Sequence, residues 1–207
     1  MIPTAKRQPP KKSPKPPSKA YHHGNLRETL LMAAEATLTE RGVQGTTLRE
    51  VAKAAGVSHA APYHHFASLN DLLAAVAERG FVALGDAMEQ ATATPDTRER
   101  LLQIAQAYVG CARAQPARFR LMFAPQLNQG DVYPALKAAS HRAFGFLMAA
   151  ASAHDPVKGP ELALCGWSLS HGLSNLLIDG AFDTLPTPVA NTDALVRQLA
   201  ARALGPL

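Results

Sequence analysis

A single residue, Val57, separates Gly56 at the end of one helical segment from Ser58 at the start of the next. No other feature restricts the fold as tightly. Gly56 accepts the left-handed backbone that ends a helix. A connection this short forces two successive helices to cross steeply, the helix-turn-helix arrangement. The segment before the turn opens on Thr47-Leu48-Arg49-Glu50, a capping box with Thr47 as N-cap and Glu50 at the third helical position. Leu48, Val51, Ala52 and Ala55 form its apolar stripe. After the turn, Ser58 is expected to cap a third, short helix. Pro62 falls in the first turn of that helix, where it forfeits at most one backbone bond.

The flanking segments read as helices too. One runs over 26–41, with Asn25 as N-cap and Glu28 three residues on. Its Leu30, Ala33, Ala34, Thr37 and Leu38 share one face. Ser68 with Asp71 opens another, extending to about Gln90, with Leu72, Leu73, Val76, Phe81, Leu84 and Met88 turned inward. Further helices are expected over 97–114, 116–123, 133–153, 160–179 and 190–204, joined by Pro/Gly-rich breaks. There is no period-2 strand pattern and no internal repeat. Alanine and leucine dominate, and both favour helix. The fold class is therefore all-α, about nine helices, with a three-helix helix-turn-helix module at the N-terminus and a helical domain behind it.

Charge divides the chain further. Residues 1–19 hold six prolines and six Lys/Arg with no acid. Such a segment cannot bury apolar surface and is expected to be a disordered basic arm, either a solubilising tail or a tracker of phosphates. Residues 20–70 form the helix-turn-helix domain and carry four basic and four acidic groups, while residues 71–207 carry eleven basic and twelve acidic. The +5 net charge thus lies in the arm. No run of apolar residues is long enough to span a membrane, and no apolar stretch follows the basic N-terminus as in a secretory signal. A cytoplasmic protein is expected, with Cys111 and Cys165 as buried free thiols.

The stretch VSHAAPYHHF, residues 57–66, concentrates three histidines and a tyrosine. A metal site fits poorly. His64 and His65 are adjacent and point about 100° apart on a helix, and no i, i+4 pair with further ligands is present. Catalysis fits no better, for lack of a nucleophile-base order, a phosphate-cradling glycine loop or paired carboxylates. No enzyme, cofactor or metal is expected. A solvated face of a small bundle is one remaining reading. The other is a recognition helix in the major groove of double-stranded DNA. Ser58, His59, Ala60 and Ala61 would form its base-facing edge, with Phe66 packed back on the module.

In LLMAAEATLTERGVQGTTLREVAKAAGVSHAAPYHHFASLNDLL the chain resembles the DNA-binding module of the TetR (tetracycline-repressor-like) family of bacterial transcriptional regulators. YVGCARAQPARFRLMFAPQL and WSLSHGLSNLLIDG also resemble a subgroup with a C-terminal Trp…His-Gly motif, here Trp167 and His171-Gly172. The resemblance implies that Thr47 holds a phosphate and Arg49 touches phosphate or a base edge. Ser58, His59, Ala60 and Ala61 would face bases, and Tyr63, His64 and His65 would grip phosphates. Two positions depart from the family pattern. Pro62 stands where an aliphatic core residue is usual, so the helix would start late. Leu69 stands where a phosphate-binding lysine is common.

The C-terminal two-thirds, apolar and nearly neutral, is left with oligomerisation and ligand binding. Leu162, Cys165, Leu169, Leu173, Leu176 and Leu177 recur along 160–179, with Gly166 and Gly172 permitting close approach. Leu195, Val196, Leu199, Ala203 and Leu204 recur along 190–204. By the resemblance these two helices pair across a two-fold axis, with Leu169, Gly172, Leu173, Leu176, Leu195 and Leu199 at the homodimer interface; closure of a monomer core is the alternative. Phe81, Tyr108, Phe119, Met122, Phe123, Phe144, Trp167, His171 and Asn175 are the expected lining of a pocket for an unidentified, mostly hydrophobic effector. The function expected is a sequence-specific regulator, a repressor released from a palindromic operator by that effector. The alternatives are a nonspecific, tail-driven nucleic-acid-binding protein, or an enzyme or carrier in the helical C-domain.

Overall fold

The computed structural model describes residues 26–128, 130–184, 186 and 189–205. The basic arm and the Asn25 cap lie outside these residues. Among the described residues the chain forms eight α-helices and three short 3-10 helices, with no strand. The α-helices are α1 (Leu26–Arg41), α2 (Leu48–Ala54), α3 (Leu69–Ala91), α4 (Thr97–Ala114), α5 (Pro116–Met122), α6 (Pro134–His154), α7 (Gly159–Ile178) and α8 (Thr192–Ala203).

The N-terminal caps are those the sequence encodes. Thr47 is extended and its hydroxyl accepts from the Glu50 amide at 3.1 Å. Ser68 does the same for Asp71 at 3.1 Å, and its own hydroxyl donates to the Asp71 carboxylate. Each cap satisfies an amide that would otherwise lack an intrahelical partner. Arg41, at the end of α1, reaches Glu50 of α2 at 2.7 Å and ties the two helices.

The third helix of the module differs from expectation. Residues 61–64 form a single 3-10 turn rather than an α-helix, and the Ser58 side chain caps nothing. Pro62 explains this. It has no N–H to return to the Ser58 carbonyl four residues back, so that carbonyl accepts from Ala61 at 3.0 Å instead, and Tyr63 bonds to Ala60 in the same i to i−3 pattern. Pro62 is itself buried, filling the core position as a rigid ring. Gly56, at φ +68°, makes the left-handed turn that delivers this segment.

One apolar cluster runs from α1 and α2 through α3 into α4, α5, α6 and α7. Leu30, Leu38, Val51, Leu72, Leu73 and Val76 are at most 1% exposed, each contributing about 1.5–3 kcal/mol of burial. The expected border at 70/71 cuts the first turn of α3, a helix that packs on α1 as well as on α4, α5 and α6. A second cluster, Leu102, Ala105, Val109, Leu173, Val196 and Ala200, joins α4, α7 and α8. Glu99 of α4 grips Arg197 of α8 through both carboxylate oxygens, at 2.8 and 2.5 Å. That pairing, helped by Gln103, pulls the Glu99 carboxyl down to about 2.

Candidate nucleic-acid interface and ligand cavity

The tight turn after α2 puts a polar strip on the surface. Thr47, Arg49, Ser58, His59, Ala60, His64 and His65 are exposed, Ala61 is half-buried, and the Tyr63 ring is 62% exposed. Phe66, 4% exposed, anchors the strip to the core. The Arg27 guanidinium lies over the Phe66 ring, 5.6 Å from its centroid. Arg27 adds a cation beside the strip that the helical pattern of α1 did not single out, because only the folded contact with Phe66 brings it there.

Behind this module a cavity of about 480 Å³ opens between α3, α4, α5, α6 and α7. Phe81, Tyr108, Met122, Phe123, Phe144 and Trp167 of the expected lining are there. Phe119, His171 and Asn175 are not. Phe119 is 2% exposed in the core behind the wall, T-shaped against Tyr108. His171 meets Phe123 edge to face, ring centroids 4.5 Å apart. Asn175 turns back on its own helix and donates to the His171 carbonyl. The polar part of the lining was missed: Asn128, Tyr133, Lys137, Ser140 and His141. Lys137, Ser140 or His141, and Phe144 recur at helical spacing along α6. That signal was present, but periodicity alone does not say which face of α6 meets a void.

Tyr108 is the polar centre of the wall. The Trp167 Nε1–H donates to its oxygen at 3.3 Å, and the phenol lies 2.9 Å from His171 Nδ1. Tyr108 in turn directs its own proton at Nδ1, the arrangement that uses all three groups. Burial pushes the Tyr108 phenol well above its ordinary range and holds the His171 imidazole below its own. The chain of bonds joins α4 to α7.

A second polar cluster joins the cavity wall to the surface module. Met122 and Phe123 line the void at the end of α5. On the same helix Arg118 lies 3.4 Å from Glu35 of α1. Arg79 of α3 bonds Glu28 of α1 at 2.7 Å and sits 3.7 Å from Glu35. Gly80 lets α5 press on α3, since a Cβ there would meet Met122 Sδ at 2.5 Å.

The stripe expected on α7 divides between two faces. Leu173 is 6% exposed and packs inside the protomer with Val196; Leu169, Leu177 and Leu199 support that cluster. Leu195 is half-buried. Leu164, Cys165, Ser168, Gly172 and Leu176 form the outer face, with Leu164 53% and Leu176 46% exposed. Cys165 is therefore an exposed thiol and Cys111 a half-buried one, not the buried pair expected. Among the described residues no group of His, Cys, Asp or Glu is arranged to hold a metal, and no helix is long and apolar enough to cross a membrane.

Comparison with known proteins assigns both halves. Residues 30–76 match the family described as "Bacterial regulatory proteins, tetR family", and residues 101–203 match "Tetracyclin repressor-like, C-terminal domain". A curated relative, the HTH-type transcriptional activator FasR of Mycolicibacterium smegmatis, is 34% identical over 98 residues, 47% of this chain and 45% of FasR. The match thus spans less than half of that protein. An uncharacterized HTH-type transcriptional regulator of Mycobacterium tuberculosis is 27% identical over 83% of this chain and 78% of its own. Among solved structures, a Rhodococcus sp. RHA1 protein of unknown function has a TM-score of 0.74 and 33% identity, covering 89% of this chain and 96% of its own.

Proposed function

The chain belongs to the tetracycline-repressor-like family of bacterial transcriptional regulators, and we propose that it is a repressor released from a two-fold operator when a small, mostly hydrophobic molecule enters the cavity. Proteins of this family bind DNA, dimerise and bind small ligands; they are regulators rather than enzymes. In this reading residues 71–207 sense the effector and dimerise, while residues 20–70 read DNA. Ser58, His59, Ala60 and Ala61 meet base edges, and Thr47, Arg49, Tyr63, His64 and His65 hold phosphates. Arg27 adds a phosphate contact. The outer face of α7, around Gly172 and Leu176, meets its copy and sets two recognition turns about 34–36 Å apart, one turn of the duplex.

The observation that carries this reading is the path from cavity to surface. Met122 and Phe123 touch the void, α5 carries them, and Arg118 on the same helix pairs with Glu35 of α1. A ligand that fits the cavity only when α5 has moved favours the conformer in which α1 and α3 have moved with it. Unequal affinity for the two conformers is what shifts the population.

The test is a mobility-shift assay on DNA beside the protein's own gene, with footprinting of the bound species. A protected, two-fold symmetric site that resists random competitor DNA is expected. Equal displacement by random DNA rejects sequence-specific regulation in favour of nonspecific, arm-driven binding.

A further inference from the structure

We propose that the cavity takes an amphipathic carboxylate, its apolar body against the aromatic wall and its head held by Lys137. This deepens the reading of the cavity as the effector site and rests on it. The lining is polarised. Asn128, Tyr133, Lys137 and His141 lie together at the start of α6 and the segment before it. The lining from α3 and α5, Phe81, Leu84, Met88 and Met122, offers nothing that hydrogen-bonds an anion. A ligand touching both sets of residues gains from an apolar body and a polar head.

Lys137 fixes the sign of the head. Of the described lining residues it is the one Lys, Arg, Asp or Glu. Its ammonium already holds a carboxylate, with Asp131 Oδ1 2.5 Å from Nζ. Asp131 is otherwise in water, its side chain 87% exposed. An ion pair this open contributes little, so exchanging one carboxylate for another costs little. The ligand's carboxylate enters where its own apolar body displaces water, which strengthens the attraction to Lys137. His141 and Asn128 add hydrogen-bonding groups to the same lining. A neutral ligand of the same length leaves the Lys137–Asp131 pair in place and gains from the apolar walls alone.

Trp167 is the chain's single tryptophan and lines the cavity, so its fluorescence reports occupancy. The full-length protein is titrated with decanoate, decanol and methyl decanoate. Decanoate is expected to act at about three- to fivefold lower concentration than either neutral compound. Lys137→Met removes that preference and leaves decanol binding unchanged, Lys137→Arg retains it, and Asp131→Asn tightens decanoate alone. Equal binding of decanoate and decanol to the native protein overturns the carboxylate assignment and leaves the cavity as the effector site. So does a preference that survives Lys137→Met. Silence of Trp167 toward all three compounds overturns the carboxylate assignment and the effector site together.

Discussion

At the scale of single residues, Tyr108 shows how one side chain serves packing and polarity at once. Its ring fills the wall against Phe119, and its hydroxyl joins Trp167 to His171. Tyr108→Phe keeps the ring and removes the joint. Trp167 is 37% exposed and finds water for its N–H, whereas the half-buried His171 Nδ1 loses its partner. The expected cost is about 1–2 kcal/mol, read as a lowered urea midpoint with unchanged far-ultraviolet circular dichroism. His171 makes a second, pH-dependent prediction. Burial holds its imidazole below the ordinary value near 6.5, so the unfolded chain binds a proton that the folded chain refuses. The stability this imidazole contributes is fully present above that ordinary value and is lost as pH falls toward the lowered one. Unfolding midpoints measured from pH 7.5 to 5 are expected to fall across that window. His171→Asn should flatten the fall, and a slope unchanged by the substitution would assign it to other groups.

At the scale of elements, helix starts were legible at α2, α3 and α4, where a side chain closes its own helix end. Thr47, Ser68 and Asp96 each accept from amides of the first turn, and the helices begin where those residues stand. The recognition segment was less legible, because its form depends on what Pro62 subtracts. The sequence showed that the proline delays a helix; the folded turn shows it replacing the α-helix with one 3-10 turn and taking a core place. The cavity was half legible for a related reason. Aromatic residues announce themselves by type, but Phe119 lies within α5 and is buried in the core, while Phe123, four residues on, stands just past the end of that helix and reaches the void. The α3–α5 contact carries its own prediction. In Gly80→Ala the new methyl must displace Met122 Sδ and Cγ and crowd Arg118 Cγ, all in flexible side chains, so the loss of stability should be about 1 kcal/mol, at the low end for overpacking. Met122 has the cavity to move into. Ligand affinity should therefore fall well beyond what the small change in stability explains, as titration of Trp167 fluorescence alongside denaturant unfolding would reveal. Equal losses in both would make the contact ordinary packing.

At the scale of the whole molecule, charge and symmetry divide the work of holding DNA. The described helix-turn-helix surface offers polar side chains and few cations: Arg27, Arg49 and Lys53, with Arg41 paired to Glu50, beside a strip of histidine, serine and tyrosine. Leu69, half-buried at the start of α3, brings no charge to the phosphates. Hydrogen bonds of this kind set register and base preference but supply little long-range attraction. The six cations of residues 1–19 are the reserve of positive charge in the sequence, and in a dimer they count twice. Each phosphate they neutralise releases counterions and steepens the fall of log affinity with log salt by about 0.9. Removing residues 1–19 should therefore flatten that slope by several of these increments and weaken binding at low salt. The ratio of affinities for the operator and for random DNA should stay nearly the same, because the proposed base contacts of Ser58, His59, Ala60 and Ala61 are left in place. Fluorescence anisotropy of both DNAs from 50 to about 300 mM salt separates these effects. An unchanged slope would place the electrostatic grip on the folded module, and a collapsed ratio would make the arm a reader of sequence.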